Sequence, residues 1–365
     1  MIWKGSSKMK KTLAFTLSII VLLINLTGCN KNKNITKSQN PNDYITLVTG
    51  VAGVKDRALN QLALISLERA KQFGFDIEYL ESYEKDDYLK NIEHFTGTGA
   101  DVIIGVGTDM SNAVRTASEW YPNENFVMLD YTFPQTYPNV LCIEFEDQQV
   151  AYLLGYIGSY MSEPDNLGIY RLGFLGSEIS GIMDAFEFGF RAGAAYGAKE
   201  QGKIITVEDE YLGSFYANEE DAEKMASEMY DNGIDIIFVV AGGASKGALR
   251  SAIEKDKYIM SAGMDKNDLA PKHVLSCTLK RIDNVIEDIA KEIKKVNQVK
   301  EMMGKSKLLG LKEGGVDISE STKDMISAEL MAKVQDLKQK IINKEIDPPY
   351  DEETYTEYIK QLNTK

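Results

Sequence analysis

The sequence predicts an α/β protein built from two doubly wound lobes. Three observations support this. Short apolar, β-rich runs alternate with amphipathic runs of about 10–17 residues, the pattern of βαβ units and mostly parallel sheets. Two such series, each of roughly a hundred residues, follow one another. The body of about 320 residues also exceeds what a single hydrophobic core ordinarily organises.

The chain opens with an address rather than a fold. Lys8, Lys10 and Lys11 precede an apolar run from Leu13 to Leu26. A helix of that length spans about 21 Å, short of the roughly 30 Å a membrane crossing needs, so residues 1–28 read as a signal peptide. Leu26-Thr27-Gly28-Cys29 resembles a lipobox, in which the cysteine sulfur takes a diacylglycerol and the acylated cysteine becomes the new N-terminus. Residues 29–43 are then the acylated Cys29 and a polar, flexible tether.

In the first series, strands are expected at Tyr44–Gly50, Phe75–Leu80, Asp101–Val106, Phe126–Asp130 and Val140–Phe145. Helices are expected at Ala58–Phe73, Lys85–Phe95 and Met110–Trp120. Leu59, Leu62, Ala63, Ile65 and Leu67 crowd one side of the first helix. The second series runs through a helix at Val150–Met161, a strand at Leu167–Leu175, a helix at Ile182–Ala198 and a strand at Ile204–Val207. It continues with helix Asn218–Asn232, closed by Gly233, strand Ile234–Val240, helix Lys246–Lys255, and strands Tyr258–Gly263 and Val274–Leu279. The C-terminal part (Ile282–Val296, Met325–Asn343, Glu352–Leu362) reads as charged helices packing across both lobes. Lobe I is expected to comprise 44–145 with about 279–300, and lobe II 146–278 with about 305–365, hinged near Phe145 and Ser276.

Composition narrows the partners. Setting aside the four lysines of the leader leaves 37 basic residues against 55 acidic ones, a formal charge of −18. That balance opposes binding to nucleic acid or to an anionic membrane surface. Cys142 and Cys277 sit in apolar strand-like runs and read as buried free thiols. His94 and His273 are the only histidines, without metal-ligand spacing, and no nucleophile elbow, zinc motif or P-loop occurs. No catalytic residue, metal or cofactor is expected. The Gly-rich turn Gly242–Gly247 fits either a backbone cradle or a tight strand-to-helix turn.

The informative residues lie where strands end: Lys55–Gln61, Gly105–Thr108, Gly213–Tyr216, Gly263–Asp265 and Ser276–Arg281. They bring an amide, an aromatic ring, a carboxylate and an ammonium to the carboxyl ends of strands, where ligand crevices form in such sheets. With these segments the chain resembles the basic membrane protein family of substrate-binding lipoproteins, which includes purine nucleoside receptors of ABC transporters. The carriers are Asp56-Arg57-Ala58-Leu59-Asn60-Gln61, Gly107-Thr108 with Asn112-Ala113, Tyr211–Phe215, Tyr230–Phe238, Gly263-Met264-Asp265, Ser276–Lys280 and Lys340–Pro348. In order, they span nearly all of Tyr44–Pro349.

The resemblance implies a type I periplasmic-binding-protein fold that clamps a small solute between its lobes. With the lipobox, the chain is expected to be a monomer lipid-anchored at the extracytoplasmic face of the cell membrane, and the resemblance implies that it serves an ABC permease and its ATPase. Asp265 and Lys280 would hold ribose hydroxyls, since a carboxylate accepts from two neighbouring alcohols and an ammonium donates to their oxygens. Phe215 would stack on a base, with Asp56, Asn60, Asn112 and Gly242 completing the site. Where the nucleoside receptors carry further aromatic rings this chain has Leu59 and Thr108, and Asn112 replaces a frequent acid. Those departures keep a sugar or polyol open as the solute. A non-transport surface or regulatory role stays open as well.

Overall fold

The computed structural model describes residues 43–295 and 299–364. The expected signal peptide, Cys29 and nearly all of the tether lie outside the described residues. Among those described, no helix is long and apolar enough to cross a membrane.

The first sheet holds β1 (Tyr44–Thr49), β2 (Asp76–Glu81), β3 (Val102–Val106), β4 (Phe126–Leu129), β5 (Val140–Phe145) and β11 (Lys305–Leu309) in the order β11-β5-β4-β3-β1-β2. All neighbours in it are parallel. The second holds β6 (Ile169–Gly176), β7 (Ile204–Tyr211), β8 (Ile236–Val240), β9 (Tyr258–Gly263), β10 (Val274–Lys280) and β12 (Val316–Ile318) in the order β12-β10-β9-β8-β6-β7. Only β12 runs antiparallel to its neighbour there. Strands β1, β3, β4 and β8 are buried along their whole length, because helices cover both faces of such sheets. At one edge, β11 carries Lys305 and Lys307 outward, which discourages pairing with another chain.

Helices α1 (Leu59–Ala70), α2 (Asp87–Phe95) and α3 (Ser111–Trp120) flank the first sheet. Helices α4 (Asp147–Met161), α5 (Gly181–Gln201), α6 (Glu219–Asp231) and α7 (Ser245–Glu254) flank the second. Gly233 follows α6 with φ +92°, as the expected helix end requires. The α4–α5 contact is a backbone contact. Gly189, Gly193 and Gly197 form a stripe on α5, and a Cβ on Gly193 would sit 1.9 Å from the Tyr152 carbonyl oxygen.

The chain crosses between the sheets three times, at Phe145–Asp147, Lys280–Ile282 and Leu309–Val316. Ser276 lies inside β10, so the second crossing falls later than expected. After it, α8 (Ile282–Lys294) packs on α1, the short α9 (Val299–Met302) follows, and β11 pairs with β5. The chain therefore stays with the first sheet through Leu309, past the expected return near residue 305. Beyond β12, the short α10 (Thr322–Met325) leads to α11 (Ala328–Ile342) on α4, and α12 (Glu352–Thr364) rests on α5. These last two helices cover the second lobe alone rather than bridging both. Tyr358 of α12 is tied to Tyr152 of α4 by a 2.6 Å hydroxyl–hydroxyl bond. Cys142 and Cys277 are buried free thiols.

Candidate functional site

The carboxyl ends of the two sheets face one another across a cavity of about 250 Å³. That lies just under the roughly 300–1,000 Å³ usual for ligand pockets, which suits one small solute. Its wall is mostly apolar, with Leu59, Leu62 and Val106 from the first lobe and Met183, Phe186 and Phe215 from the second. Few polar side chains interrupt it, chiefly Asn60, Thr108, Asp109, Asp130 and Lys280.

The floor is ionic. Lys280, the last residue of β10, places its ammonium 2.5 Å from Asp130 and 2.9 Å from Asp147. The rings of Phe145 and Phe186 lie 5.5 and 5.6 Å from the same nitrogen. Asp130 follows β4 with φ +65°, a left-handed backbone that aspartate tolerates better than most residues. Asp147 opens α4 just after the first crossing, so the triad joins both lobes. Burial opposes the Lys280 charge, but Asp130 and Asp147 outweigh it and hold the ammonium above its ordinary range. Burial pushes the Asp147 carboxyl up to about 7 against the pull of Lys280, with Asp130 and Glu144 adding to the push. Glu144 is itself raised, by burial first and then by Asp130.

The expected site residues divide into two groups. Asn60, Phe215, Gly242 and Lys280 line the cavity; Asp56, Asn112 and Asp265 do not. The buried Asp56 carboxylate accepts from the backbone N–H groups of Ala58, Asn60 and Gln61 at 2.8–3.1 Å, and from Asn60 Nδ2 at 3.0 Å. It thereby satisfies the free donors at the start of α1, a bracing role. Asn60 Oδ1 in turn accepts from Gly50 N at 2.9 Å. Asn112 is exposed on α3. Asp265 accepts from Asn267 N at 3.0 Å and Ser321 Oγ at 2.9 Å, and it lines a smaller cavity with Arg69, Arg281 and Asp283 that adjoins the cleft through Leu62, Gly263 and Lys280. The carboxylate beside Lys280 in the cleft is Asp130, at the end of an apolar run like the one that pointed to Asp265.

The opposite end of the cavity is aromatic and partly open. Phe215 and Tyr216 line it from the second lobe, while Leu59 and Tyr88 do so from the first. Tyr88 is buried, and its hydroxyl accepts from Val51 N at 3.3 Å. Asp109, on the turn after β3, pairs with Lys85 at 3.3 Å, and that ammonium lies 5.1 Å from the Tyr216 ring. Gly242 adopts φ +49° at the rim. Gly247, by contrast, serves packing, since a Cβ there would meet the Glu219 carbonyl of α6 at 1.7 Å. Among the described residues no cluster of histidine, cysteine and acidic side chains is arranged to hold a metal.

Such a cleft can enclose a polyhydroxylated solute, accepting at Asp130, donating from Lys280 and covering an apolar portion between Leu59 and Phe215. Known proteins resemble the chain along most of its length. Residues 46–352 match the Bmp family, described as ABC transporter substrate-binding protein, PnrA-like. Basic membrane protein A of Borreliella burgdorferi is 32% identical over 312 residues, covering 84% of this chain and 88% of that protein. The CD4+ T-cell-stimulating antigen of Listeria innocua is 29% identical over 369 residues, covering 93% and 99%. Among solved structures, a solute-binding protein of an ABC transporter system from Aeropyrum pernix superposes with a TM-score of 0.73 at 22% identity, covering 88% of this chain and 98% of that one. Another from Conexibacter woesei gives 0.66 at 18% identity, covering 85% and 100%. These structural likenesses establish the type I periplasmic-binding fold.

Proposed function

The chain belongs to the PnrA-like family of ABC transporter substrate-binding proteins, and on that footing we propose that it traps a nucleoside between its lobes and delivers it to a membrane permease with its ATPase. The family is a class of binding proteins rather than of enzymes. In this reading Cys29 carries the lipid that holds the protein at the outer face of the membrane, and residues 30–43 are the tether. The two acyl chains of the diacylglycerol suffice for stable anchoring, since each buried CH₂ contributes about 0.8 kcal/mol.

The observation that carries the reading is the Asp130–Lys280 pair on the cleft floor, beneath an apolar slot between Leu59 and Phe215. Asp130 accepts from the ribose hydroxyls and Lys280 donates to their oxygens. Phe215 stacks on the base, for which a contribution of roughly 1–3 kcal/mol is usual. Asn60 and Gly242 shape the wall, and Asp56 braces the loop that carries Leu59 and Asn60.

A sugar or another polyol is the second reading. It is favoured by Leu59, which offers an aliphatic wall where a second stacking ring would stand. Mass spectrometry of solute co-purified with the full chain, followed by calorimetry with adenosine, guanosine, inosine and free ribose, tests both. Tight nucleoside binding with weak ribose binding supports the first reading. Equal affinity for ribose and nucleosides supports the second. No binding of either removes both.

A further inference from the structure

We propose that Arg57 is a positioning residue that bolts the two lobes to each other directly, holding the cleft shut whether or not a solute is inside. The inference rests on the cleft being the solute site, but not on the solute being a nucleoside.

Arg57 belongs to the β1–α1 loop of the first lobe, and it does not line the cavity. Its guanidinium reaches across to the β9–β10 loop of the second lobe. There Nη2 donates to the Asp268 carboxylate and, at 3.4 Å, to the Asp265 carbonyl oxygen. Nη2 carries two N–H groups, so this one nitrogen can engage both acceptors. The residue holds φ +54°, a left-handed backbone that an arginine adopts only when its surroundings impose it. Its Nε is buried and has no hydrogen-bond partner among the described residues. Arg57 N donates to Gln61 Oε1 at 3.1 Å within its own lobe, which leaves the guanidinium free to reach outward.

Each loop is fixed before they meet. On the first lobe, the residue before Arg57 is Asp56, whose carboxylate is saturated by the start of α1. On the second, Lys266 is completely buried and its amino group donates to the Ala262 carbonyl at 2.5 Å. Asp265 is held by Asn267 and Ser321. The backbones also touch, because a Cβ on Gly263 would stand 3.3 Å from Ala58 Cα. Lys246 Nζ, from the second lobe, donates to the Lys55 carbonyl at 3.3 Å beside this contact. Two braced loops joined by one side chain make a bolt and catch, and opening the cleft must break it.

The test measures lobe separation in the full chain, with genetically encoded spin labels at Tyr83 and Ile179, exposed positions on opposite lobes. Distances are read without ligand and with saturating adenosine. Without ligand, Arg57→Ala and Asp268→Ala should each shift the distribution toward longer distances. The double variant should add nothing further, and Arg57→Lys should restore part of the closed population. Adenosine, if it binds, should leave Arg57→Ala about twofold to fivefold faster than the wild type, since a partly exposed ion pair contributes on that modest scale. Asp268 is exposed, so its alanine variant keeps the test open should Arg57→Ala fold poorly. A ligand-free wild type as open as the variants, or variants as closed as the wild type, overturns the bolt. An adenosine-insensitive wild type counts against the nucleoside reading alone.

Discussion

The Lys280 ammonium stands 2.9 Å from Asp147 Oδ2, while Oδ1 of the same carboxylate is buried with no hydrogen-bond partner among the described residues. One cation thus answers two carboxylates, Asp147 and Asp130, at the junction of the lobes. Leaving a buried acceptor unpaired is costly, and a proton on Asp147 relieves both that cost and the excess negative charge.

A pH dependence follows, with a definite sign. The folded protein raises the Asp147 carboxyl from its ordinary 3.8 to about 7, first through burial. Between those values the folded state holds a proton that the unfolded state has released. Its stabilising contribution is therefore full below about pH 4, falls as pH rises toward 7, and is absent above. Urea unfolding of wild type and Asp147→Asn from pH 4 to 8 measures this. The stability difference between the two should change across that window and level off beyond it. A constant difference would mean that Asp147 does not titrate there.

Asp130→Ala and Asp265→Ala should behave differently. Losing one charged hydrogen bond to a ligand costs about 1.5–3 kcal/mol, on the order of 10–100-fold in affinity. Asp130→Ala should show that loss in calorimetry with the bound solute, and Lys280→Ala at least as much, together with lower stability from two stranded carboxylates. Asp265→Ala, off the cavity wall, should change affinity by less than about threefold. The reverse ranking would place the ribose contact at Asp265 after all.

The slot can be completed. Leu59 lines it from the lobe opposite that of Phe215, and its Cδ2 lies 3.8 Å from where a Gly107 Cβ would stand. Leu59→Phe should tighten purine nucleosides by up to about tenfold through a second stacking face, with no gain for free ribose. Phe215→Ala should weaken nucleosides by the same logic while sparing ribose. Parallel changes for both solutes would show that neither position meets a base.

Much of this fold is written in local pattern. Val140–Phe145 and Tyr258–Gly263 fall where apolar runs place them, because strands inside a helix-covered parallel sheet need such residues over most of their length. Strands β11 and β12 are not legible that way. Lys305-Ser306-Lys307-Leu308-Leu309 is a polar edge that becomes a strand only by pairing with β5, and three residues of β12 carry no period. The site divides similarly. Lys280 is recognisable at a strand end, but which acid faces it depends on how two lobes meet across three crossings. Asp130 and Asp265 occupy equivalent strand ends in different lobes, and local sequence cannot rank them. Asp56 is ambiguous for another reason: a carboxylate that caps a helix and one that grips a ligand look alike until its four donors are counted.

The α4–α5 contact supplies the sharpest stability prediction. Gly193→Ala would put a methyl group 1.9 Å from the Tyr152 carbonyl oxygen, a main-chain atom that cannot swing aside. Helices already touching through their backbones must separate, and overpacking of this kind costs about 1–3 kcal/mol or more. Tyr152 lies between α5 and α12, so the shift should also strain its bond to Tyr358. Thermal unfolding should show a clear loss for Gly193→Ala. Gly181→Ala, at the exposed start of the same helix with nothing within 4 Å of a new Cβ, should be neutral or slightly stabilising. Equal behaviour of the two would remove backbone contact as the reason for glycine along α5.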